Sequence, residues 1–147
     1  MWNDNKSIVL SRVSVLVFFL LLIAAAVFAP WLVRQTFIYT DMPGWEKYFL
    51  ITVYTGSIPA ALLLISLYRL LLRIGRGEVF VRKNVGSLRR ISWYCFTGAV
   101  ISALSVLYYF PWAMVAVAAA FMGLIVRVVK NVFARAVALQ DDADFTI

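Results

Sequence analysis

Four stretches of the chain stay apolar for about the length that crosses a lipid bilayer. A helix needs roughly 20 mostly apolar residues to span about 30 Å of hydrocarbon. The first stretch, 13–33, holds no charge between Arg12 and Arg34. The second, 48–72, carries Arg69 close to its end. The third runs over 91–110. The fourth runs over 112–130, and its helical period continues past Arg127 and Lys130 to about Leu139. The fold class this pattern predicts is all-α: an integral membrane bundle of four transmembrane helices in a single domain over 1–147, with a cytoplasmic tail at 140–147. The first apolar run is longer than a signal-peptide core of about 7–15 residues, so it reads as a retained span.

Between the second and third stretches the pattern changes. Gly75 and Gly77 break the second helix. Val81, Val85, Leu88 and Ser92 then recur at intervals of four, three and four, which places them on one helical face. Arg82 and Arg89, and Lys83 and Arg90, flank the other side. This predicts a short amphipathic helix on the inner leaflet, between the second and third spans. The fourth stretch follows the third after a tight turn at Phe110 and Pro111, so these two spans should form an antiparallel hairpin. The outer loop from about Arg34 to Lys47 is long enough for a small cap.

The basic residues then orient the chain. Arg34 and Lys47 are the 2 on one side, and the other 12 of the 14 lie on the side that holds both termini. Short loops rich in Lys and Arg stay in the cytoplasm, so both termini and the 73–90 segment are expected there. Trp31, Trp45, Tyr48, Tyr108, Tyr109 and Trp112 fall at the outer interface and Trp93 at the inner one, where amphipathic rings prefer to sit. Composition agrees: 64% of residues are hydrophobic and 14% charged, against about 45–50% and about 25% in soluble domains. The net charge of +7 therefore points to lipid headgroups, and no direct nucleic-acid binding is expected.

Candidate chemistry is sparse. Histidine is absent and Cys95 is the only cysteine, so no disulfide, cysteine metal cluster or histidine base can be assembled. No cofactor and no enzymatic activity are expected. No span carries a charge near its centre, which argues against a pump, since buried charges mark such proteins. Hydroxyls at Thr52, Thr55, Ser57, Ser102 and Ser105 form a candidate intramembrane polar site. Pro59 removes a backbone donor and frees the carbonyl of Thr55, which predicts a kink there. Gly98, Ser102 and Ser105, and Ala113, Ala116, Ala120 and Gly123, form stripes of small residues that let helices approach closely. One of them could serve a homo-oligomer.

Two segments carry a resemblance. Gly77-Glu78-Val79-Phe80-Val81-Arg82-Lys83-Asn84-Val85, with Leu88-Arg89-Arg90-Ile91 after it, resembles the loop of the DUF2975 family of small bacterial membrane proteins. The ending Asp141-Asp142-Ala143-Asp144-Phe145-Thr146-Ile147 is similar to that family's acidic tail. Val81 stands where Thr is usual, which removes an N-cap, and Phe145 replaces Leu. The resemblance implies a four-span protein of the bacterial cytoplasmic membrane. It also implies a small cytoplasmic helix-turn-helix protein as partner.

The leading functional reading is a non-enzymatic membrane sensor or anchor that binds a small cytoplasmic regulator. Its expected contact residues are Arg82, Lys83, Asn84, Arg89, Arg90, Asp144, Thr146 and Ile147. Two further readings stand beside it. One is a passive channel or carrier built by an oligomer around the hydroxyls. The other is an immunity-type protein that binds a membrane-active toxin.

Overall fold

The computed structural model describes residues 4–37 and 45–145, with side chains over 6–35 and 46–143. It contains four helices and, among the described residues, no strand: α1 (Asp4–Phe37), α2 (Trp45–Gly75), α3 (Arg82–Ser105) and α4 (Trp112–Phe145). Packing follows chain order, α1 on α2, α2 on α3 and α3 on α4.

Cross-helix contacts fix each pair as antiparallel. Arg12 lies 5.7 Å from the Tyr68 ring and Ile8 approaches Gly75, so the start of α1 meets the end of α2. Thr52 bonds Ser105 at 2.8 Å. The end of α4 returns to the start of α3, where Arg82 pairs with Asp141 at 3.1 Å. The start of α1, the 76–81 turn and the end of α4 therefore share one end of the array, termed here the basic end.

The interior is mixed, with polar side chains buried beside apolar ones such as Leu70, Leu88 and Ile91, while the outside is apolar. The most deeply buried side chain is Asn84, at 0% exposure, and Thr52, Ser87, Ser92, Ser102 and Ser105 are buried with it. The outer surface is lined with Phe18, Leu20, Val27, Phe28, Met114, Val117 and Phe121, all exposed. A soluble monomer rarely shows such continuous apolar area. α1, α2 and α4 are each long and apolar enough to cross a membrane, over Lys6–Gln35, Glu46–Gly75 and Trp112–Ala143.

α3 is not among them, because Arg82, Lys83, Arg89 and Arg90 occupy its first turns. It departs from expectation in two further ways. The helix ends at Ser105 rather than near 110, and a turn closed by Tyr108 and Tyr109 N–H donations to the Ser105 carbonyl follows. No separate amphipathic helix stands before it, because the basic segment is the first part of α3 itself. Val81, Val85 and Leu88 do not lie free for a leaflet. Leu88 joins Leu70, Ile91 and Cys95 in the core, against Phe133 of α4, and Val85 lies beside Val137 and Ala138. The physical reason is the length of α4, 34 residues, which gives the apolar side of α3 a protein surface to cover.

The turn between α2 and α3 is built on Gly77, whose φ of 89° is open to glycine at little cost. Glu78 N–H donates to the Arg73 carbonyl and Gly77 N–H to the Ile74 carbonyl, both at 3.0 Å. These two bonds are the Schellman pattern that closes a helix with a left-handed residue. A comparable repair occurs in α1. Pro30 lies inside that helix and leaves the Ala26 carbonyl without its helical donor. The Tyr54 hydroxyl of α2 donates to that carbonyl at 3.1 Å. The predicted small-residue seam on α4 is present: Gly123 is buried, and a Cβ there would fall 2.9 Å from the Phe96 ring of α3.

Candidate functional sites at the basic end and between the helices

At the basic end the side chains divide into an inward set and an outward set. Arg73 turns inward from the last turn of α2. Its Nε donates to Asn84 Oδ1 at 2.7 Å, and a terminal nitrogen donates to Ser87 Oγ. Asn84 Nδ2 donates to the carbonyls of Glu78 and Val79, at 2.8 and 2.6 Å. Arginine only donates, so the orientation of the Asn84 amide follows from its partners. One asparagine thus ties the end of α2 to both the turn and α3. Asn84 was expected at a contact surface. The structure instead encloses it, and it presents nothing to a partner.

Arg82, Lys83, Arg89 and Arg90 are exposed. Arg82 is engaged with Asp141. The acidic segment was expected either to fold back onto the basic loop or to extend into water. It meets the loop without folding back, because α4 continues as a helix to Phe145 and the hairpin brings Asp141 beside Arg82. The pair is well exposed, with 86% and 42% of the two side chains accessible, so it contributes about 0–1 kcal/mol. The Asp144 side chain and residues Thr146 and Ile147 lie outside what is described.

A cavity of about 450 Å³ sits between the helices. Leu22 and Ala25 line it from α1, Thr52, Gly56, Ser57 and Pro59 from α2, Gly98 and Ser102 from α3, and Trp112, Ala119 and Met122 from α4. Gly56 and Gly98 face open space, with no atom within 4 Å of where a Cβ would stand. The volume falls within the about 300–1,000 Å³ of small-molecule sites.

The structure brings four of the five predicted hydroxyls together. Thr52, Ser57 and Ser102 line the cavity, and Ser105 bonds Thr52, which also meets the Tyr108 hydroxyl. Thr55 is exposed on another face and takes no part. Above this group Phe49 packs on Tyr109 and Trp112, with ring centroids 5.9 and 5.3 Å apart. The Trp112 indole N–H is buried without a hydrogen-bond partner among the described residues. Sequence reasoning did not foresee this donor at the cavity wall, because an aromatic at a span boundary reads first as an interface anchor. Ser57 and Ser105 donate to carbonyls of their own helices, Val53 at 2.6 Å and Ile101 at 2.9 Å. Tyr94 and Cys95 also line the cavity, and none of its lining residues is Asp, Glu, Lys or Arg.

These features define a class: an all-helical chain, apolar outside and with buried hydroxyls inside, with three helices long and apolar enough to cross a membrane. The chain belongs to the DUF2975 family, proteins of unknown function, whose model matches residues 8–147. No curated protein and no solved structure matches it.

Proposed function

We propose that the protein is a non-enzymatic membrane protein whose four helices all cross the bilayer. In this reading the basic end faces the cytoplasm, and its exposed cations dock a small cytoplasmic regulator. The observation that carries the reading is the single-ended placement of charge. Arg76, Arg82, Lys83, Arg89 and Arg90 are exposed together, and the 76–81 turn that precedes α3 is held rigid by Arg73 and Asn84. A platform with fixed backbone and outward cations suits an acidic protein surface, where charge sets orientation and on-rate. A fourth crossing uses all of α3, whose 24 residues reach about 36 Å at about 1.5 Å per residue, because the apolar part after Arg90 alone reaches only about 22 Å. Its cationic turns would then lie at the interface, where long basic side chains reach water. The regulator reading leans on the family resemblance for the kind of partner and on the charge for its surface.

The test is crosslinking in membranes between the tagged full chain and its regulator, comparing wild type with a Lys83→Glu, Arg90→Glu variant. Loss of at least tenfold in yield with normal membrane insertion supports docking through this face. Unchanged yield contradicts it.

The cavity favours a second reading, in which the hydroxyls serve a neutral apolar solute, alone or in an oligomer. Thr55 has no place in it. Filling the open space with Gly98→Leu should abolish solute flux or binding in liposomes, and a filled cavity with unaltered flux would end this reading.

A further inference from the structure

On the outer side of the α3–α4 seam, a second group of cations converges. Arg89 and Trp93 come from successive turns of α3, and Arg127 and Lys130 from one face of α4. With Ser92 they enclose a pocket of about 280 Å³. Asp141, the acid paired across the same hairpin, is engaged with Arg82 and not with these three cations. Three like charges around one small space repel one another, and an anion placed among them offsets that repulsion. The backbone beneath them is fixed: Ser92 Oγ donates to the Gly123 carbonyl at 3.0 Å, and Gly123 packs on Phe96. Because that hydroxyl hydrogen is already committed, binding falls to the guanidinium groups and the ammonium.

The surroundings select the kind of anion. Trp93 is 59% exposed and stacks edge-on to Phe96 at 6.4 Å. Val100, seven residues after Trp93 on α3, and Leu124, three before Arg127 on α4, are exposed apolar side chains on the same helical faces. A polar anionic head lodged among cations, with apolar chains lying along an apolar wall, describes a phospholipid. Planar guanidinium groups match phosphate oxygens in bidentate geometry. We propose that Arg89, Arg127 and Lys130 form a binding site for the phosphate headgroup of an anionic phospholipid, with Trp93 at its rim. The site rests on the reading that this end of the array meets a membrane surface; it shares Arg89 with the regulator face, whereas Arg127 and Lys130 belong to the site alone.

Native mass spectrometry of the purified full chain in detergent tests it, with phosphatidylglycerol titrated against phosphatidylcholine. Wild type should retain the anionic lipid in preference. Arg127→Gln with Lys130→Gln should lower that preference by about fivefold per cation removed. A control with Arg76→Gln and Arg135→Gln, exposed cations outside the pocket, should keep it. Equal losses in control and test variants would mean diffuse charge and overturn the site. Displacement of the lipid by millimolar inorganic phosphate alone would make it a free-anion site and overturn the lipid assignment. No headgroup preference in wild type would overturn it outright. Detergent presents both lipids without sidedness, so these outcomes do not depend on orientation, which a wrong membrane reading would reveal in cysteine labelling of intact cells.

Discussion

Asn84 shows how far one side chain can govern this fold. Its oxygen receives the Arg73 guanidinium and its two amide hydrogens satisfy two carbonyls of the turn. Replacing it with alanine leaves a half-buried cation and two carbonyls short of partners. Asn84→Ala should cost about 3 kcal/mol, from about 1–3 kcal/mol for each group stranded, measured by thermal unfolding in detergent. A neighbouring position offers the opposite sign. Val81 is the N-cap of α3, in an extended conformation (φ −122°, ψ 152°) with no side-chain cap. Threonine fits that backbone and can accept a hydrogen bond from the first turn. Val81→Thr should stabilise by about 0.5–1 kcal/mol in the same measurement.

The sequence marked Asn84 as noteworthy but misplaced it. Spacing gives the face of a residue, and it does not say which face a neighbouring helix will cover. The hydroxyls were more legible, with one informative failure. At about 100° per residue, positions 52, 53, 56, 57, 60 and 63 share a sector that faces the cavity, whereas Thr55 falls outside it. Helical phase applied within the span separates Thr55 from the others, which hydroxyl content alone does not.

At the scale of elements, the α3–α4 hairpin is the best-defined unit. It was visible in the chain as a tight turn at Phe110 and Pro111 and as small residues on α4 at spacings of three and four. The seam is tight where Gly123 meets Phe96. Gly123→Leu should therefore destabilise by about 1–3 kcal/mol through overpacking and separate the two helices. A disulfide-trapping yield between cysteines on α3 and α4 would fall accordingly, and an unchanged yield would show that the seam is looser than described. The ends of α3 were less legible. Helical pattern runs smoothly from the basic segment into the apolar one, so a boundary drawn where hydropathy changes did not match any break in the backbone. Capture of the Pro30-freed carbonyl by Tyr54 was likewise hidden, since it joins residues far apart in the chain.

For the whole molecule, the distribution of charge and apolar surface carries the account. Three helices qualify as spans by length and composition, and α3 is the element on which topology turns. If it crosses, the 76–81 turn and the 106–111 turn lie on opposite sides of the membrane, and the basic end is free for regulator and headgroup together. If it does not, the docking face and the proposed lipid site lose their common setting. Cys95 is the only cysteine, which makes a clean labelling background available through Cys95→Ala. The decisive measurement is labelling of Glu78→Cys and Leu107→Cys in that background with a membrane-impermeant maleimide, in intact cells and after permeabilisation. Leu107 is 89% exposed in its turn, and Glu78 is exposed in the other. The account predicts that the cysteine at 107 reacts in intact cells and the cysteine at 78 only after permeabilisation. Reaction of both from the same side would contradict a crossing by α3, and reaction of 78 alone in intact cells would place the basic end outside.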